Sequence, residues 1–280
     1  MMKMIDDEMG YFFGISRGSF GEILGDQRRT NVNSCRTSSI PLTEFWQPAN
    51  LGVVNGILSR HLPSLNLEAA LKFFEFPTDA IYGGKKIGRP SMTDLMIMDD
   101  AWQIAVEGKM TEYVRFSDQT VAEWLSERSK GVDVMLRHRV LKTWVRYIHN
   151  ARCSDLADIG EFFKDCLDVS YQFLHRAASA CYKANGPEGR TPVLVYQLFF
   201  DKADPAHVAA MEAFKANLRT WAAALKLKNM KFLILTVPVT NYADVERRFS
   251  GQRGNIFDAM RDETIYEFDF AGIEVEEVYG

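Results

Sequence analysis

Two almost uninterrupted apolar runs, Val193 to Phe200 and Phe232 to Val237, constrain this chain more than anything else in it. A strand with one face in water alternates apolar and polar residues. A run that is apolar throughout needs cover on both faces, the setting of a parallel sheet between helices. Between the runs Asp204-Pro205 is a helix start, and Val208, Met211, Leu218, Trp221 and Leu225 then fall on one helical face. The stretch predicts a βαβ unit with parallel strands, and with it an α/β protein.

The remaining chain reads as additions to that unit. Helical periodicity dominates Val121 to Ala184, where Ile159, Phe162, Phe163, Cys166, Phe173, Leu174, Ala177, Ala178 and Cys181 trace an apolar stripe. Upstream, Leu67, Ala70, Leu71 and Phe74 recur at helical spacing and Pro77 closes the segment, predicting a short amphipathic helix from Leu65 to Phe76. Asp79 to Tyr82 then reads as a strand. Residues 10–40 are rich in Gly, Ser, Asn and Arg without periodicity, so 1–40 is expected to be an N-terminal arm or loop. Neither Gly18-Ser19-Phe20-Gly21 nor Gly83-Gly84-Lys85-Lys86 has the spacing of a phosphate loop, and both read as flexible loop. The tail from Ile265 to Tyr279, centred on Ala271-Gly272, predicts a closing hairpin. With no repeat and no Pro- or Gly-rich linker, residues 41–280 are expected to form a single α/β domain with a helical insertion at about 120–184.

Composition limits the function classes. At 280 residues and 47% hydrophobic the chain has material for a sizeable core without staples. A net charge of -4 carries no global basic signature, so any nucleic-acid binding must rest on a local patch. Cys35, Cys153, Cys166 and Cys181 form no C-x-x-C pair, which fits reduced thiols better than disulfides or a zinc site. Asp6, Asp7 and Glu8 stand where a secretory signal needs an apolar core, and no apolar run has the length of a membrane span. A soluble, cytoplasmic protein is expected.

The chemistry concentrates in a second strand pair. Thr93 to Met98 and Trp102 to Met110 flank Asp99-Asp100 and predict a β-hairpin. With a two-residue turn at Asp99-Asp100, Ile97 pairs with Trp102, Leu95 with Ile104, and Asp94 lies across from Ala105. Leu95, Ile97, Trp102, Ile104 and Val106 then share an apolar face, and Asp94, Glu107 and Lys109 share the other. A slip of one residue would destroy that segregation. Asp94 and Glu107 become diagonal neighbours, roughly 7 Å apart at the backbone. Two carboxylates brought to about 4 Å repel by roughly 4 kcal/mol at the effective dielectric of protein sites, so convergence implies a cation or a raised pKa. Hard oxygen ligands suit Mg²⁺ or Mn²⁺. Lys109 extends on the same face, where an ammonium can hold a water or offset charge on a phosphate.

Thr93-Asp94 followed by Glu107-Gly108-Lys109 at the end of the next strand resembles the D…ExK signature of the PD-(D/E)xK, restriction-endonuclease-like superfamily, with Thr93 where the family name has proline. The resemblance implies a mixed sheet flanked by helices with a β-hairpin active site. It also implies Asp94 and Glu107 as metal ligands, Lys109 orienting or activating a water, Mg²⁺ or Mn²⁺ as cofactor, and hydrolysis of phosphodiester bonds in DNA or RNA. Thr93-Asp94-Leu95, Ile104 to Lys109, Glu123-Trp124-Leu125 and Tyr171 to Arg176 also resemble a group of uncharacterised bacterial proteins with a T/N-D…A-V-E-G-K and Y-Q-x-L-H-R pattern. That group is thought to share the same fold. The alternative is a module of this fold that binds nucleic acid or protein without cleaving; a structural protein with a fortuitous E-x-K is the third reading.

Gln172, Arg176 and Ser179 form a polar stripe beside His175. Gln172 resembles the glutamine that supports the active site of RecB-like exonucleases, and Arg176 is expected to join it. His175 is left open between a catalytic role and an ordinary helix position. Glu68, on the expected helix before the first strand, is the candidate third metal ligand, and Glu112 a further one. Each reads more readily as a surface charge than as a ligand. Arg128, Lys130, Arg137, Arg139, Lys142, Arg146 and Arg152 face a single acid, Asp133, and either neutralise phosphates or form a solvated helix face.

Overall fold

The computed structural model describes residues 10–29, 35–114, 119–127, 133–151, 159–184, 189–226, 229–250 and 255–278. Cys153, Arg128, Lys130 and Arg152 lie outside these residues. The strands are β1 (Tyr11–Phe13), β2 (Ser16–Arg17), β3 (Leu71–Tyr82), β4 (Lys85–Met98), β5 (Trp102–Lys109), β6 (Thr191–Asp201), β7 (Lys231–Val239) and β8 (Glu274–Val278). They make one sheet in the order β2-β1-β3-β4-β5-β6-β7-β8. β3, β4 and β5 are antiparallel neighbours, β5, β6 and β7 are parallel, and β8 returns antiparallel to β7.

Helices cover both faces. On one side lie α1 (Phe20–Arg29), α2 (Ser39–Phe45) and α3 (Leu51–Leu58), which pack with Leu95, Ile97, Ile104, Val106, Val195 and Leu233. On the other lie α4 (Val121–Ser126), α5 (Val134–Ala151), α6 (Ile159–Asp165), α7 (Tyr171–Cys181) and α8 (Pro205–Leu225), against Met96, Ala105, Leu194, Tyr196, Phe232 and Ile234. α9 (Tyr242–Phe249) and α10 (Asn255–Ala259) return to the first side. The βαβ unit predicted from the apolar runs is β6-α8-β7, with Asp204 capping α8 by accepting from Ala206 N at 2.9 Å.

Several expectations need correction. The segment from Leu65 to Phe76 is not a helix: residues 67–70 are turn and bend, and β3 begins at Leu71. The helical spacing of its apolar residues was shared by a strand. Gly83 and Gly84 are not a flexible loop. Both have positive φ, 59° and 76°, and form the two-residue turn of a long β3–β4 hairpin, where Tyr82 pairs with Lys85. Parts of 10–40 are ordered: β1 pairs with β3, and Ile23 and Leu24 of α1 are buried in the core. The tail does not pair with itself; β8 adds to the edge of β7.

The β4–β5 register differs by two residues from the expected one. Leu95 pairs with Val106, Ile97 with Ile104 and Met98 with Gln103. The turn is longer because Asp99 Oδ1 accepts from Ala101 N at 2.8 Å and Trp102 N at 2.6 Å, an Asx-type turn, whereas the two-residue hairpin turns need positive φ at one or both central positions. An even shift preserves the faces, so Leu95, Ile97, Ile104 and Val106 still share one core layer. Continued one step, the register sets Asp94 directly opposite Glu107 instead of Ala105.

Candidate active site

Glu107 and Lys109 sit at the carboxyl end of β5, whose neighbour β6 runs parallel to it; open α/β sheets bind ligands at such ends. The glycine between them is dictated by packing, since a Cβ on Gly108 would stand 3.0 Å from Ser38 Cβ at the start of α2. Its amide donates to Asp94 Oδ2 at 2.9 Å, which ties the two strands' carboxylates into one unit.

α7 supplies the rest. Ser170 Oγ accepts from Phe173 N at 3.1 Å, and Tyr171 N donates to Gln119 O, fixing where the helix starts. Gln172 and Arg176, four residues apart, then present together. Gln172 Nε2 donates to Glu107 Oε1 at 2.7 Å, and Lys109 Nζ donates to the same oxygen at 2.8 Å. Arg176 Nε donates to Glu107 Oε2, its NH1 donates to Ser91 Oγ at 3.0 Å, and its NH2 lies 3.9 Å from Asp94 Oδ1. Ser91 Oγ also pairs with His175 Nδ1 at 2.8 Å. Because arginine only donates, the serine proton is free for Nδ1, leaving the neutral imidazole's own proton on Nε2.

The electrostatics separate the two carboxylates. Burial alone would raise Glu107, but Arg176 and Lys109 outweigh it and hold the carboxyl down to about 2. Asp94 is pushed up to about 8 by burial and by the Glu107 charge, against the pull of Arg176 and Lys109. Burial would lower the Lys109 ammonium, yet Glu107 and Asp94 raise it, so it is a charged donor and not a base. Burial, with Arg176 alongside, lowers His175 well below the ordinary histidine range, so the ring is neutral.

Glu75 on β3 is the carboxylate that sequence reasoning missed. Phe74 pairs with Leu95 and Phe76 with Thr93, so the register sets Glu75 beside Asp94. Its φ of 52° interrupts the strand's alternation, and Phe73 and Phe76 pack on the same layer, their rings 5.4 Å apart. Burial raises its carboxyl, the Arg176 charge lowers it and the Glu107 charge raises it. Ser91 was missed as well. The signal for both was the Gly83-Gly84 turn, which makes two long strands of the residues around it.

Other candidates fall outside. Glu68 is exposed in the turn before β3, near the Asp99 end of the hairpin and away from Asp94, because the helix that was to carry it does not exist. Glu112 accepts from Ser38 N, Ser38 Oγ and Met110 N, which makes it a cap between α2 and the end of β5. Ser179 is buried and donates to His175 O. Arg137 is buried against Glu127 and Trp124, so it is not a phosphate contact. Among the described residues no group of three or more His, Cys, Asp and Glu side chains is arranged to hold a metal.

The fold and site thus define a mixed α/β protein with a buried ionic cluster at the carboxyl end of a central strand. The chain belongs to the family described as a domain of unknown function (DUF6946), whose model matches residues 19–238. No curated protein and no solved structure matches it. No helix among the described residues is long and apolar enough to cross a membrane.

Proposed function

We propose that this chain is a divalent-metal-dependent nuclease of the PD-(D/E)xK, restriction-endonuclease-like kind, cleaving DNA or RNA phosphodiester bonds. The observation that carries the reading is the convergence of Asp94, Glu107 and Lys109 with Gln172 and Arg176 on one cluster. The strand directions agree with the resemblance: three antiparallel strands, a helical segment, then β6 parallel to the third.

The donor set fits Mg²⁺ or Mn²⁺. Mg²⁺ is commonly held by one or two carboxylates, with waters and substrate phosphates completing the shell, so a third protein carboxylate is not required. Among the described residues Asp94 Oδ1 accepts no hydrogen bond and has Arg176 NH2 3.9 Å away, and a carboxyl raised by burial beside a second carboxylate is relieved when a cation replaces its proton. When bound, the ion supplies Lewis-acid polarisation of the phosphate and a more acidic water. The residues do the positioning. Glu107 stays ionised at neutral pH, Lys109 donates to the incoming water or the phosphate, and Gln172 and Arg176 hold Glu107 in one rotamer.

A second reading draws on one specific feature. Both Glu107 oxygens already have cationic or amide donors, as expected of a non-cleaving binding module stabilised by a buried ion-pair network. Cleavage separates the two. Wild type incubated with supercoiled plasmid and with labelled RNA in Mn²⁺ is expected to nick or degrade one of them, and Lys109→Ala to lose that activity. A purified wild type without turnover on either selects the binding module.

A further inference from the structure

We infer that the β3–β4 arm and the exposed face of α5 form one surface that binds the sugar-phosphate backbone of a nucleic-acid strand and leads it to Asp94 and Glu107. The inference rests on the reading above for the class of ligand, but its surface is built from other residues.

The arm and the helix are one unit. Tyr147 Oη donates to Asp79 O at 3.0 Å, and a Cβ on Gly88 would meet Val140 at 3.3 Å. Lys85 and Arg89 on the arm are exposed, as are Arg139, Lys142 and Arg146, which recur at helical spacing along α5. Several exposed cations elsewhere on the molecule are matched by acids: Arg36 by Glu246, Lys202 by Asp269, Arg219 by Glu276 and Arg248 by Glu263. On this surface Asp79 is taken by Lys86, and Lys85, Arg89, Lys142 and Arg146 have no ion pair among the described residues. Positive charge is thus concentrated here on a chain whose formal net charge is -4.

Shape and direction fit a strand of nucleic acid. The Arg139 guanidinium lies 5.5 Å above the ring of exposed Tyr82, a planar cation on an aromatic of the kind on which bases stack. β4 runs from the arm into the site. At ~3.3 Å per residue, Arg89 is roughly 17 Å and Lys85 roughly 30 Å from Asp94, enough for several phosphates in succession. Such contacts position the backbone without reading sequence.

The test measures binding apart from cleavage. Fluorescence anisotropy in EDTA follows one labelled sequence as single-stranded DNA, as duplex DNA and as RNA, against wild type and the exposed variant Lys85→Ala/Arg89→Ala/Lys142→Ala/Arg146→Ala. The variant is expected to melt like wild type, to bind at least about tenfold more weakly, and to show a log affinity against log salt slope shallower by roughly 3 on whichever form wild type prefers. Replacing all four by the opposite basic residue should restore binding. An unchanged affinity and slope in the alanine variant overturns the inference, as does wild type that binds none of the three at low salt. Binding by wild type with no cleavage in Mn²⁺ supports the surface and removes the nuclease reading, so the two failures are told apart.

Discussion

The two faces of the β4–β5 hairpin are made from alternate residues of the same strands, yet they solve opposite problems. Leu95, Ile97, Ile104 and Val106 are fully buried in an apolar layer under α2 and α3. Asp94, Glu107 and Lys109, facing α7, bury a mixture of charges whose desolvation is only partly offset by their pairing. The first face stabilises the fold whatever else is bound. The second is an arrangement that apolar residues of similar volume would match or exceed in stability, so its chemistry is the reason to keep it. Buried carboxylates show the same contrast. Glu44, under the apolar face, accepts from Ile265 N and Tyr266 N, and burial pushes it up to about 7. Glu107, among cations, is held down to about 2.

The largest expected effect comes from breaking the ionic face. Arg176→Ala leaves Glu107 and Asp94 buried without their bridging cation and is expected to cost about 3 to 5 kcal/mol in urea unfolding. A loss below about 1 kcal/mol would mean that water already screens the cluster.

Ile104→Ala sharpens the contrast from the apolar side. Truncating this fully buried residue is expected to cost about 2 to 5 kcal/mol while leaving Mn²⁺ affinity per folded molecule unchanged. A change in affinity would show that the two faces are coupled.

Within the ionic face the two carboxylates should respond with opposite signs. Glu107→Gln deprives Lys109 and Arg176 of their shared counter-charge and should lower the melting temperature. Asp94→Asn replaces a carboxyl that burial and the Glu107 charge already drive towards its neutral form, and should leave the metal-free melting temperature unchanged or higher. Equal losses in both would contradict the assignment of Glu107 as the ionised partner.

Glu44 gives the smallest and most selective effect. Its folded carboxyl binds a proton more tightly than the ordinary value of 4.5, so its contribution is fully present below that pH and is lost as pH rises through about 7. Between those values wild type should lose stability relative to Glu44→Gln, measured by denaturation at several pH values. Parallel profiles would show that the carboxyl titrates normally.

How much of this was legible depends on which physical signal each part used. The hairpin's faces could be read because a period of two survives any even shift of register, while the register itself depended on Asp99 bonding its own turn. Gln172 and Arg176 could be placed beside Glu107 because four residues make one helical turn. Glu75 could not, because Leu67, Ala70, Leu71 and Phe74 satisfy helical spacing as well as a turn and a strand do. The two glycines at 83 and 84 carried the better signal, a two-residue hairpin turn between β-rich runs.

Calorimetric titration of Mn²⁺ into wild type, Glu107→Gln and Lys109→Ala tests the central claim most directly. Wild type is expected to bind, Glu107→Gln to lose binding, and Lys109→Ala to bind at least as well as wild type, because the lysine occupies a Glu107 oxygen without being a ligand. No Mn²⁺ binding by wild type, with nucleic acid present, would contradict the claim and leave the buried cluster as a structural ion-pair network.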